Sequence, residues 1–256
     1  EVIKKFLLVK VDLMGFLWQV IVLDQVLLQL EISMVMGTLI LLLVPVVMVW
    51  YQGLHLIVGT GAVWILMLSM NGTVKQYQKI SSTEGNLIGF TDSFGGFGIS
   101  ITALGDVNSD GIIDIAVGAY FSNNNEGATW ILFLYRNGTV KDSQKIASFE
   151  GGFIFPLQEN SFFGLGITAI GDLNGDGIPD MIGGAPGHYK IEPDRMDGIT
   201  WVFFLREDGS IERFSSIEFS DFDNQVEIPF VGYGLCNLGD IESNNMIDVG
   251  YTVSPG

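Results

Sequence analysis

Three stretches of this sequence set oxygen-bearing side chains at alternating positions around a tight turn. In the first, Asp106, Asn108, Asp110 and Asp114 stand at positions 1, 3, 5 and 9, with Gly111 at position 6. Alternating positions in such a loop point inward, so their oxygens converge at the roughly 2.3–2.6 Å that calcium prefers. A glycine at position 6 permits the reversal that turns the next carbonyl, that of Ile112, toward the same point. The second stretch repeats the set as Asp172, Asn174, Asp176, the carbonyl of Ile178, and Asp180, with Gly177 at position 6. The third keeps Asp240, Glu242, Asn244, the carbonyl of Met246, and Asp248, but has Asn245 in place of the glycine. Asparagine tolerates the left-handed conformation, so weaker binding is expected there. An EF-hand is excluded, because position 12 is Val117 or Gly183 where that motif has a bidentate glutamate. A single such loop is also what an acidic turn capping a strand looks like. Recurrence from Asp106 to Asp172 to Asp240, intervals of 66 and 68 residues, favours the metal reading, since turns need no such oxygen spacing.

The elements that position these loops are strands. Ala62–Ser81, Ala128–Ser148 and Ile199–Glu218 share one pattern: an apolar run rich in β-branched and aromatic residues, a two-residue turn, and a second run. The turns Asn71-Gly72, Asn137-Gly138 and Asp208-Gly209 are strong hairpin signals, because both residues must accept positive φ. The first strand of each hairpin is apolar on both faces, as suits a sheet packed between two others. Ile99–Leu104 before an acidic loop and Ile113–Val117 after it supply two more strands. Four short strands per unit, joined by tight antiparallel connections and repeated, predict an all-β protein built of four-stranded antiparallel β-propeller blades. The period exceeds the 40–50 residues or so of WD and kelch blades, which disfavours those families.

Phe163-Gly164, the loop Asp172–Asp180 and Gly184-Ala185-Pro186 together resemble the FG-GAP repeat, the blade unit of the integrin α-chain N-terminal propeller and of related surface proteins. The upstream copy keeps Phe97-Gly98 and Gly118-Ala119 but has Tyr120 for the proline, and the downstream copy is read as opening at Tyr233-Gly234. The resemblance covers about residues 61–256. It implies a seven-bladed ring of which this chain is a part, calcium at the lower edge of the blades, and a role in adhesion or extracellular recognition.

Composition limits the alternatives. Twenty-nine acids against 12 bases give a net charge of −17, which argues against a nucleic-acid partner. Cations bound in the loops would offset much of it. Cys236, the one cysteine, allows no internal disulfide or zinc cluster and is read as a small buried residue. His55 and His188 are read as loop histidines, and the carboxylates Asp194 and Asp197 as part of a solvated loop. Trp64, Trp130 and Trp201 recur at one blade position and are read as core residues. No serine elbow, phosphate loop or histidine metal motif is present in the sequence.

Residues 1–60 differ in character. Leu39–Trp50 is the most apolar run, too short and too interrupted by Pro45 for a confident membrane helix. A hydrophobic anchor is one reading. The other comes from the genetic code. If each codon is read one nucleotide early, Met34-Val35, Met36-Gly37 and Met48-Val49 are forced to give glycine, and Glu31-Ile32 gives only Asp or Asn. Permitted codons then spell Gly-Asp-Leu-Asn-Gly-Asp-Gly-Asn-Ile-Asp-Ile-Ala-Val-Gly-Ala from Leu30 onward, a copy of the repeat. The division expected is therefore a degenerate or frame-shifted blade over 1–60 and a propeller portion over 61–256.

The expected function is a non-catalytic, calcium-binding module of a cell-surface or secreted protein. Its partners would be an extracellular protein or glycan and the remaining blades, with membrane association open. The alternative is a targeting propeller attached to an enzyme whose catalytic domain lies elsewhere.

Overall fold

A computed structural model describes residues 61–69, 71–89, 95–189, 198–217, 231–244 and 247–252 in full, and the backbone of six strands before them. The architecture is all-β, in several four-stranded antiparallel sheets of a partial propeller, as the repeat pattern predicts. One sheet contains β9 (Phe97–Gly105), β10 (Asp114–Ala119), β11 (Thr129–Leu134) and β12 (Val140–Ile146) in chain order. The next contains β13 (Ile167–Gly171), β14 (Asp180–Ala185), β15 (Ile199–Leu205) and β16 (Ile211–Ile217). A two-stranded sheet of β17 (Gly234–Gly239) and β18 (Asp248–Thr252) follows.

Ahead of these lie the hairpins β1 (Leu7–Leu13) with β2 (Phe16–Val22), β3 (Leu28–Val35) with β4 (Thr38–Pro45), and β5 (Met48–Tyr51) with β6 (Leu54–Ile57). The hairpin β3–β4 joins β7 (Val63–Leu68) and β8 (Val74–Ile80) in a third four-stranded sheet, ordered β3-β4-β7-β8. His55 falls in β6, where only the backbone is described, and Asp194 and Asp197 lie outside the described residues.

The third strand of each complete blade is its core. All six residues of β11 are buried, as are six of the seven in β15, which explains why these runs carry apolar side chains on both faces. The outer strand β12 instead alternates toward solvent, with Lys141 and Asp142 exposed between buried Val140 and Ile146. Two apolar clusters fill the spaces between blades. One gathers Val63, Ile65, Phe97, Ile101, Ile115, Trp130 and Leu132; the other gathers Ile131, Phe133, Phe153, Phe163, Trp201 and Phe203. Trp130 and Trp201 are buried, as expected of a repeated core position, while Trp64 is half-buried against Tyr77, with centroids 5.5 Å apart.

Glycines let neighbouring blades approach. A Cβ on Gly118 would lie 1.9 Å from the carbonyl oxygen of Gly164 in the next blade, so no other residue fits without separating the sheets. Polar contacts cross the same seam. Ser100 Oγ donates to the Gly164 carbonyl at 2.6 Å, and the Ala169 amide donates to Thr102 Oγ1 at 3.1 Å.

The downstream copy opens at a different place from the one read above. Gly98, Gly164 and Gly232 share φ of 89°, 86° and 85°, and each approaches a backbone carbonyl at the start of a neighbouring third strand. Phe163 bridges Gly127 in parallel, and Val231 bridges Gly198 in the same way. The opening pair is therefore Val231-Gly232, not Tyr233-Gly234. Valine fills the apolar place of the phenylalanine, and the neighbouring aromatic Tyr233 is half exposed.

Candidate metal centres

Each acidic loop joins the first and second strands of a blade, and the same hydrogen bonds shape all three. Position 9 anchors the loop. Asp114 Oδ2 accepts the amide of Val107 at 3.1 Å, Asp180 Oδ2 that of Leu173 at 2.9 Å, and Asp248 Oδ2 that of Ile241 at 2.7 Å. In the two complete blades its other oxygen reaches across the sheet, accepting Leu134 N–H at 3.1 Å and Leu205 N–H at 3.2 Å. Position 1 gathers the turn. Asp106 accepts from the amides of Asp110 and Gly111, Asp172 from those of Gly175, Asp176 and Gly177, and Asp240 from that of Asn244.

The backbone takes a left-handed conformation twice in each intact loop. Gly111 and Gly177 do so at position 6, with φ of 79° and 91°, as the sequence predicts. Ser109, Gly175 and Ser243 do so at position 4, with φ of 59°, 77° and 60°. Position 4 is not apparent from residue type, because serine carries no strong left-handed signature. Asn245 and Met246 lie outside the described residues.

The FG-GAP-like repeat profile matches residues 106–183, from the first acidic loop to the strand after the second. Integrin alpha-2 of Mus musculus is 38% identical over 129 residues, 50% of this chain and 10% of its own length. Integrin alpha-3 of Cricetulus griseus is 28% identical over 192 residues, 74% of this chain and 16% of its own. The chain carries an FG-GAP-like repeat and is similar to integrin alpha chains. It spans about a tenth to a sixth of the length of these relatives.

The donor set of the FG-GAP loops suits a hard cation, since every candidate ligand is oxygen. Among the described residues, however, no three His, Cys, Asp or Glu side chains are gathered closely enough to hold a metal ion. The loop carboxylates are engaged by hydrogen bonds and an ion pair instead. The position 9 carboxylates are turned to the backbone. Asp110 Oδ2 is held by the Lys141 ammonium at 2.9 Å, while its Oδ1 accepts the Ile112 amide. A carboxylate oxygen that takes one backbone donor keeps acceptor capacity for another partner, so the loops suit such an ion in donor chemistry.

Electrostatics sharpen the picture. Burial pushes the Asp114 carboxyl up to about 6, against the lowering effect of its two amide donors, and the charges of Asp110 and Asp106 raise it further. Asp180 is raised by the same causes in the same order, with Asp176 and Asp172 as the neighbouring charges. The Lys141 ammonium holds the Asp110 carboxyl below its usual range.

Two other readings change. His188 is buried rather than solvated. Its Nδ1 lies 3.4 Å from Ser161 Oγ, and its ring packs 5.4 Å from Phe155 and 6.4 Å from Trp201. Cys236 is exposed rather than buried, unlike Thr102 and Thr168 at the same position of the complete blades. Among the described residues no helix is long and apolar enough to cross a membrane.

Proposed function

We propose that this chain is a non-catalytic, calcium-binding part of an adhesion-type β-propeller, belonging to a cell-surface or secreted protein that recognises an extracellular protein or glycan. The recurrence of one hydrogen-bonded loop carries this reading. At 106–114 and 172–180, and in the described part of 240–248, the position 9 carboxylate accepts the same backbone amide and the position 1 carboxylate gathers the turn, with integrin alpha chains as relatives. A turn that only capped a strand would need the position 9 carboxylate, but not oxygens at 1, 3 and 5 as well.

In this reading Asp106, Asn108, Asp110, the Ile112 carbonyl and Asp114 hold one ion. Asp172, Asn174, Asp176, the Ile178 carbonyl and Asp180 hold a second. Asp240, Glu242, Asn244, the Met246 carbonyl and Asp248 hold a third, weaker one. A dication offsets the mutual repulsion of the three carboxylates in each intact loop and fixes the connection between two strands. Affinity in the roughly 10⁻⁴–10⁻³ M range of extracellular modules is expected. The test is a thermal melt with and without calcium. Stabilisation of about 2.7 kcal/mol at a free concentration 100 times the Kd supports the reading, whereas identical melts in about 10–100 mM calcium and in EDTA refute it.

A further inference from the structure

Lys141 separates the two intact loops. It stands on the outer strand β12 of its blade, and its ammonium is paired with Asp110 Oδ2 at 2.9 Å. In the next blade the equivalent place is fixed by strand register. Val140 pairs with Leu134 and Ile211 with Leu205 at matching irregularities, so the residue after each is equivalent and Glu212 takes the place of Lys141. One loop therefore has a cation of the protein's own seated on its position 5 carboxylate, and the other has an acid at that register position.

We propose that Lys141 is a tethered counter-ion that sets the 106–114 loop to bind divalent cations more weakly than the 172–180 loop. The proposal rests on the reading that both loops bind calcium. An incoming ion must displace the ammonium from Asp110, and the displaced ammonium remains on the same blade, where it repels the ion. Before binding, the pair offsets part of the loop's negative charge. The 172–180 loop gains no such relief and fills first as calcium rises.

Calorimetric titration of the whole chain with calcium chloride tests this, in a background of Asp240→Asn so that only two loops count. With Asp172→Asn added, the 106–114 loop is observed alone, and Lys141→Gln is expected to tighten it about threefold to tenfold. In the reciprocal background of Asp106→Asn, Glu212→Lys is expected to weaken the 172–180 loop by a similar factor. Raising the salt concentration should shrink both effects, because partly exposed charges are screened. Lys141→Met serves as a second neutral variant, with circular dichroism confirming that each variant is folded. Calcium binding with an affinity unchanged by Lys141→Gln and Lys141→Met overturns the proposal and leaves the calcium reading intact. An absence of binding heat in both single-loop backgrounds, with melts indifferent to calcium, refutes the calcium reading itself.

A second, independent observation concerns β3 and β4. In the two complete blades Val117 pairs with Trp130 and Gly183 with Trp201, and Val117 and Gly183 each lie 11 residues after the first aspartate of their loop. In the first four-stranded sheet Leu43 pairs with Trp64, the matching tryptophan. When the codons are read one nucleotide early, the first aspartate falls across Glu31 and Ile32, so the codon 11 places later falls across Leu42 and Leu43. The displaced codon thus straddles Leu43, the residue opposite the matching tryptophan, and Leu42 beside it. We infer that this segment is the first half of a blade carried in a displaced reading frame. Sequencing the gene and its transcript across codons 22–61 decides it. An open displaced frame that spells the acidic motif supports the inference, and a stop codon or a different spelling in that frame overturns it.

Discussion

The carboxylate of Asp180 accepts the backbone amide of Leu205 at 3.2 Å, tying the end of an acidic loop to the end of the buried third strand of its blade. Its other oxygen takes the amide of Leu173 in the exposed loop, so of its two donors only Leu205 is buried away from water. Asp180→Ala strands the Leu205 amide. At roughly 1–3 kcal/mol for an unsatisfied buried group, a loss of about 1–3 kcal/mol is expected. Urea unfolding in EDTA measures it without any contribution from bound metal.

Asp114 predicts a pH dependence. Its folded-state pKa is raised from 3.8 to about 6, so between those values the folded protein holds the proton more often than the unfolded chain does. Its contribution is then greatest below pH 4, falls as pH rises, and is lost above about pH 6. Melting curves in EDTA from pH 4 to 7 should show wild type losing stability relative to Asp114→Asn over this window. A constant difference between the two proteins would show that Asp114 does not titrate there.

Phe153 lies at the centre of an aromatic group, with Trp201, Phe203 and Phe214 edge-on at 5.1, 5.1 and 5.0 Å and Phe163 tilted at 5.3 Å. It is fully buried, so Phe153→Ala should cost about 3–5 kcal/mol, measured as a shift in the urea midpoint.

Gly118→Ala and Gly171→Ala test different properties of glycine. The first would drive a Cβ against the Gly164 carbonyl across the blade seam, with its backbone φ outside the left-handed region. The second has nothing within 4 Å of its Cβ, but its φ is 70°. Gly118→Ala should therefore lower the melting temperature far more, by loosening one blade from the next. Gly171→Ala should cost only about 1–2 kcal/mol of local backbone strain. Equal losses would mean that the seam yields easily.

The sequence alone determined the repeat, the strands and the oxygen-bearing residue types of the loops. These are local features: turn pairs such as Asn137-Gly138 and Asp208-Gly209, the apolar runs between them, and oxygens spaced two residues apart depend only on near neighbours. It also indicated the buried role of Trp130 and Trp201, because recurrence at one blade position is visible along the chain. Tertiary structure decided what depends on partners distant in sequence. The opening of the downstream copy at Val231-Gly232 follows from its seat beside Gly198 and Ile199, and residue type pointed instead to Tyr233. His188 is buried because Phe155, Ser161 and Trp201 fold around it, and Cys236 is exposed where Thr102 and Thr168 of the complete blades are buried. Spacing likewise marks Asp114 as an oxygen facing inward. Only the fold brings Leu134 to one of its oxygens and Lys141 to its neighbour Asp110, from strands 20 and 31 residues away.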